Sequence, residues 1–178
     1  MKEEQELFLT IHKLLSEQKL GALATHGQGE PWASLIAFAA TDNLDSIYFA
    51  TPKTTRKYSN LVNDPRCSLL IDNRENLASD FSNSIAVTAT GIVKEVHDPE
   101  NSAGLQLFLK KHPYLETFTQ SPTCAFICLQ VKRYNLWCVV FRKSGNITPS
   151  IKWTSSHFQS LTRAISNSSG AKAMHWIS

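Results

Sequence analysis

The 178-residue chain contains no apolar run of the roughly 18 residues that a membrane-spanning helix needs. It also lacks a decisive charge: 18 Lys and Arg against 15 Asp and Glu leave a net +3, too small an excess to imply a polyanionic partner. Neither a membrane nor a nucleic acid is therefore expected as a partner. Seven glycines and seven prolines, spread along the chain, exclude a collagen-like or low-complexity protein. The opening MKEEQELFLTIHKLL is acidic and amphipathic where a signal peptide would be basic and then uniformly apolar, so a cytoplasmic location is expected.

Several chemistries lack their motifs. Cys67, Cys124, Cys128 and Cys138 form no C-x-x-C pair, which favours reduced core thiols over a bridge or a zinc site. His12, His26, His97, His112, His157 and His175 are scattered with no i, i+4 pair, so no metal centre is expected. Gly27-Gln28-Gly29 lacks the third glycine of a dinucleotide fingerprint, no phosphate loop of the G-x-x-x-x-G-K type is present, and no serine is framed as G-x-S-x-G.

What is present suits one packed domain: 42% of residues are hydrophobic and 19% charged. Leu7, Phe8, Ile11, Leu14 and Leu15 recur at helical spacing between residues 3 and 17. The period then changes, and short strands are expected at 20–25, 32–41, 47–51, 67–71, 85–96, 124–131 and 136–141, the last two joined by a turn near Lys132–Asn135. A short helix should start at Thr54 or Thr55 and stop before Pro65, and another should follow Asp98-Pro99. Residues 73–81 read as loop, and the text beyond Arg142 as a loosely held tail. Short strands without regular β-α-β alternation predict a mainly β fold, an antiparallel barrel with peripheral helices over 1–145 and a tail over 146–178.

One segment concentrates chemistry. Thr51-Pro52-Lys53-Thr54-Thr55-Arg56-Lys57 places hydroxyls and three cations where a strand ends and a helix begins, and free N–H groups at a helix start attract phosphate. Arg56 can fork two hydrogen bonds onto a phosphate, while Lys57 adds a point charge. The plainer alternative is a threonine cap followed by solvated basic residues.

In motif content and order the chain resembles the pyridoxamine 5'-phosphate oxidase-like family, the FMN-binding split barrels. The resembling text is LGALAT (20–25), GEPWASLIAF (29–38), IYFAT (47–51), TRKYSNL (55–61), DPRCSLLID (64–72), VTATG (87–91) and KHPYL (111–115). The resemblance implies a six-stranded antiparallel, Greek-key-like split barrel and FMN as cofactor. It makes Arg56 and Lys57 the phosphate ligands with Thr55 beside them, sets Thr51 next to the ribityl chain and phosphate, and lays the strand Ser34, Leu35, Ile36, Ala37 along the flavin ring. It also implies a homodimer with the flavin near the subunit interface. Trp32, Phe38 and Tyr48 would suit that interface, or else the monomer core.

The departures bear on function. Ser34 stands where the name-giving oxidase has an arginine near the ring, Ala86 where it has a glutamine, and the tail shows no counterpart of the Arg and His that handle its substrate. With Lys132, Arg133, Arg142 and Lys143 read as solvated turn residues and Arg163 in the tail, little oxidation of pyridoxamine or pyridoxine 5'-phosphate is expected. The expected function is thus an FMN-dependent oxidoreductase acting on an unidentified small substrate, with no catalytic residue named. Two alternatives stay open: a haem-binding or haem-degrading split barrel using His112 or His175 as axial ligand, and a flavin-binding module without turnover.

Overall fold

The computed structural model describes residues 2–138 and 151–154. The expected boundary at 145, Arg142, Lys143, His157, Arg163 and His175 lie outside them. In chain order the elements are α1 (Lys2–Glu17), β1 (Leu20–Gly27), β2 (Glu30–Ala37), β3 (Ala39–Ala40), β4 (Ser46–Pro52), α2 (Arg56–Asn63), β5 (Arg66–Asp72), α3 (Asp80–Asn83), β6 (Ile85–Glu95), α4 (Ala103–Lys111), α5 (Glu116–Thr119), β7 (Cys124–Cys138) and β8 (Ile151–Thr154). Single 3₁₀ turns at Pro99–Asn101 and Pro113–Leu115 flank α4. No helix among the described residues is long and apolar enough to cross a membrane.

The strands form one antiparallel sheet in the order β2-β1-β5-β6-β7-β4-β3, with β8 added to β7. Because β2 and β3 are pieces of one run parted only at Phe38, the path begins and ends on the same stretch of chain, and the sheet curls on itself. This is the expected split barrel with peripheral helices. It counts seven strands along that path where six were expected, since the run 32–41 breaks at Phe38. The inward set of Leu23, Ile47, Phe49, Leu69, Ile71, Val87, Ala89, Leu129 and Tyr134 is buried, and α1 adds Leu7, Phe8, Ile11, Leu14 and Leu15 to it. Each Val, Leu, Ile or Phe of this set contributes about 1.5 to 3 kcal/mol on full burial.

A second, smaller core lies where α4 rests on β3 and β4: Ala39, Leu105, Phe108 and Phe126 are buried, with Tyr48 packed against them. Tyr48 and Phe126 stack at 5.7 Å. A Cβ on Gly104 would run into the Tyr48 ring, so only glycine lets α4 approach this closely. Phe38 and Tyr48 therefore belong to the monomer's packing, Phe38 with no exposed surface. Only Trp32 of the three candidate interface aromatics stays exposed.

Two local expectations are corrected. Residues 73–81 are not all loop, because Asp80 begins the short helix α3 and accepts hydrogen bonds from the Glu75 and Leu77 amides. More consequentially, Lys132–Asn135 is no turn: Cys124–Cys138 is one strand of 15 residues. Its first half pairs with β4 and most of its length with β6, and the register shifts by one residue between Thr90 and Gly91. The two adjacent cations signalled a turn from sequence, but the shift is a β-bulge, which lets neighbouring residues both face solvent without ending the strand.

Candidate functional site

The junction of β4 and α2 is built from its own hydroxyls. Thr55 has extended backbone, accepts from the Tyr58 amide as N-cap and donates its own hydroxyl to the Pro52 carbonyl at 2.8 Å. Its Oγ1 also lies 3.1 Å from that of Thr51, which is 1% exposed. The helix ends at Asn63, ahead of Pro65. Asn60 fixes it to β1, donating to Thr25 Oγ1 at 3.1 Å. A Cβ on Gly27 would strike the Asn60 side chain, so helix and strand meet at van der Waals distance.

The three cations of this junction have different fates. Lys53 pairs with Glu95 at 3.0 Å, and Tyr58 donates to the other Glu95 oxygen at 2.9 Å. Burial by itself would raise the Glu95 carboxyl, but these hydrogen bonds outweigh it and hold it below its ordinary range. Arg56 reaches Glu30 at 2.6 Å and lies 4.5 Å above the Trp32 ring. Lys57 is half-buried and makes no ion pair or side-chain hydrogen bond among the described residues. Of the expected phosphate ligands, then, Arg56 is held by a carboxylate and an indole while Lys57 is free.

β2 faces this junction. It is hydrogen-bonded to β1 along one edge only; it neighbours β4 and α2 without pairing, since the β4 ladder is made by Ala39 and Ala40. Half of its backbone donors and acceptors are consequently unclaimed by another strand. The four expected ring-lining residues do not share a side-chain face. Leu35 points outward, 70% exposed and opposite Ala22, whereas Ile36 is buried and Ala37 packs toward the α4 core. What Ser34, Leu35, Ile36 and Ala37 share is the open backbone edge. Ser34 adds a buried hydroxyl with no hydrogen-bond partner, the kind of orphan a ligand can satisfy.

Sequence reasoning missed the partners of these residues. Trp32 read as interface or core, while Glu30 and Glu95 carried no signal of these contacts. Each acts across 24 or more positions of chain, which no local pattern reports. His112, a candidate axial ligand, is 0% exposed with both ring nitrogens engaged, Nε2 2.9 Å from the Phe38 carbonyl and Nδ1 3.1 Å from the Tyr114 hydroxyl. It holds the bend at Phe38 and offers no open nitrogen.

Comparison with known proteins now decides the family. The family model described as pyridoxamine 5'-phosphate oxidase matches residues 9–138. The chain belongs to that family. No curated protein sequence matches it. Among solved structures, a haem-binding protein from Mycobacterium smegmatis aligns with a TM-score of 0.69 at 19% identity, covering 84% of this chain and 58% of that one. The chain thus spans little more than half of that protein's length. A protein from Clostridium acetobutylicum related to general stress protein 26 of B. subtilis, described as of the pyridoxinephosphate oxidase family, aligns with a TM-score of 0.63 at 14% identity, covering 86% and 98%. A FAD-binding protein from Mesorhizobium loti aligns with a TM-score of 0.55 at 20% identity, covering 72% and 90%.

Proposed function

We propose that the protein is a cytoplasmic, homodimeric FMN-binding flavoprotein that acts as an oxidoreductase on a small substrate. The observation that carries this reading is the juxtaposition of the open β2 edge, with its orphaned Ser34 hydroxyl, and the first turn of α2 bearing Thr55, Arg56 and the unpartnered Lys57. A flavin mononucleotide has a dianionic phosphate at one end and a ring edge of alternating donors and acceptors at the other, and these two surfaces match it. When bound, the flavin supplies the redox chemistry. The chain binds and orients it: Lys57 contributes charge at the phosphate, Thr51 and Thr55 shape the turn beside it, and β2 backbone groups fix the ring plane. Arg56 shares its guanidinium between Glu30, held through Nη2, and the phosphate.

The dimer reading draws on the outward row of Leu35, Ala22 and Leu70 across β2, β1 and β5, with Leu20 beside it, which no element of the chain covers among the described residues. Light scattering should return about twice 19.9 kDa. The haem-binding neighbour keeps a haem reading in the test, but His112 is closed to a metal by its own hydrogen bonds.

The absorbance spectrum of the purified, FMN-incubated protein tests the proposal. Bands at about 370 and 450 nm that stay with the protein through gel filtration are expected. A Soret band, or a colourless protein that does not retain added FMN, would overturn it.

A further inference from the structure

The only adjacent pair of cations within a strand of the described chain sits on the β7 bulge. Gly91 pairs with Val131 and Thr90 with Arg133, leaving Lys132 as the extra residue. Burial along this stretch follows: Val131 and Tyr134 are buried, while Lys132 and Arg133 between them are both exposed. A regular strand would send consecutive side chains to opposite faces; the bulge turns both to the outer one. A Cβ on Gly91 would collide with the Gln130 carbonyl, so the glycine is what permits the bulge.

Across β6 and β5 the same outer face supplies the rest of a groove of about 380 Å³, lined by Arg66, Ser68, Thr90, Gly91, Lys132 and Arg133 among others. Ser68 stands opposite Thr90, and Thr90 opposite Arg133, so two hydroxyls and a guanidinium form one row across three strands. Arg66 enters from the side, held by Asp64 through bonds from Nε at 2.9 Å and Nη2 at 2.7 Å. Asp64 offsets the charge of Arg66, whereas Lys132 and Arg133 keep theirs without a counter-ion among the described residues.

We propose that this groove is a binding site for a small phosphate-class anion, recognised by Arg66, Lys132 and Arg133 with Ser68 as hydroxyl donor, while the Thr90 hydroxyl donates to the Arg133 carbonyl at 3.4 Å and so helps to hold that strand in place. Guanidinium and ammonium donors beside a hydroxyl are the side-chain chemistry that binds a compact multivalent oxyanion. The volume is that of a small-molecule site. It is separate from the β4–α2 junction and does not depend on the flavin reading.

Amide NMR of the full ¹⁵N-labelled chain, titrated with sodium pyrophosphate at constant ionic strength set by sodium chloride, tests it. Saturable shifts at Ser68, Thr90, Gly91, Lys132 and Arg133 are expected, with a midpoint at or below about 1 mM. Lys132→Gln combined with Arg133→Gln should raise that midpoint by about tenfold or more, and Arg66→Gln, from a different strand, should raise it as well. Lys57→Gln should leave the groove shifts unchanged, which separates this site from the junction. Shifts that never saturate, or a midpoint unmoved by both groove variants, would overturn the proposal.

Discussion

The sheet treats two of its margins in opposite ways. At β3 and β4 the outer face is closed by α4: Phe108 and Phe126 meet edge to face at 5.7 Å, Gly104 admits Tyr48, and His112 uses both ring nitrogens internally. Lys111, at the end of the same helix, donates to the Leu15 carbonyl at 2.6 Å and lies 4.2 Å over Phe38, and its burial pulls the ammonium down to about 8. At β2 and α2 the sheet stays open, with an unpaired strand edge, an orphaned serine hydroxyl, a lysine without a carboxylate and a tryptophan 40% exposed. A margin whose polar groups are already satisfied stabilises the fold and has nothing left to offer a ligand. The open margin leaves groups unsatisfied, which costs stability in the free protein and is recovered when something binds.

Substitutions can break this contrast. The largest effect is expected at the closed margin, where Phe108→Ala should cost about 3 to 5 kcal/mol in urea unfolding. Flavin affinity of the folded protein should hold. A loss below about 1 kcal/mol would mean that α4 is not the structural margin described.

At the open margin the expectation reverses. Lys57→Ala should leave stability within about 0.5 kcal/mol of wild type yet lower FMN affinity about 10- to 150-fold, with riboflavin, which lacks the phosphate, nearly indifferent. Equal FMN affinity in fluorescence titrations would remove Lys57 from the site.

Arg56 sharpens the comparison, because it sits at the open margin yet is already partnered. Its replacement by alanine should lower FMN affinity by less than about tenfold, less than the loss at Lys57. Glu30→Gln should raise FMN affinity by freeing the guanidinium. A loss at Arg56 exceeding that at Lys57 would show that Glu30 yields Arg56 without cost.

The smallest effect is in pH. Burial holds the His112 imidazole below its ordinary pKa, against the partly compensating bond to the Phe38 carbonyl. The unfolded chain therefore binds this proton more readily than the folded one. The histidine's contribution is present above the unfolded value of about 6.5 and is lost as pH falls below it. Stability should decline between about pH 7 and pH 5, and His112→Gln should flatten that slope. A wild-type slope unchanged by the substitution would assign the acid sensitivity elsewhere.

Much of this was legible in the sequence for reasons that are local. The helical spacing of Leu7, Ile11, Leu14 and Leu15 gives α1 a single apolar stripe, and these four side chains are buried. Thr55 as cap and Pro65 as stop bracket α2, because a cap needs only its own hydroxyl and the next turn's amides. The basic run at 53–57 identified the junction, since a strand end feeding a helix start is written in contiguous residues.

Contacts between distant segments were decided by the tertiary structure. Trp32, Phe38 and Tyr48 look alike as aromatic strand residues; which of them is exposed depends on where α4 lands. Arg56 and Lys57 are neighbours with the same charge, and only Glu30, brought in from the far side of a turn, distinguishes them. Lys132-Arg133 carries the composition of a turn, yet a one-residue bulge opposite Gly91 keeps the strand running and turns both cations to one face. Capping and periodicity act over three or four residues, within reach of a linear reading. Register, closure and pairing compare segments dozens of residues apart, and their outcome depends on which alternative buries more apolar surface and leaves fewer polar groups alone.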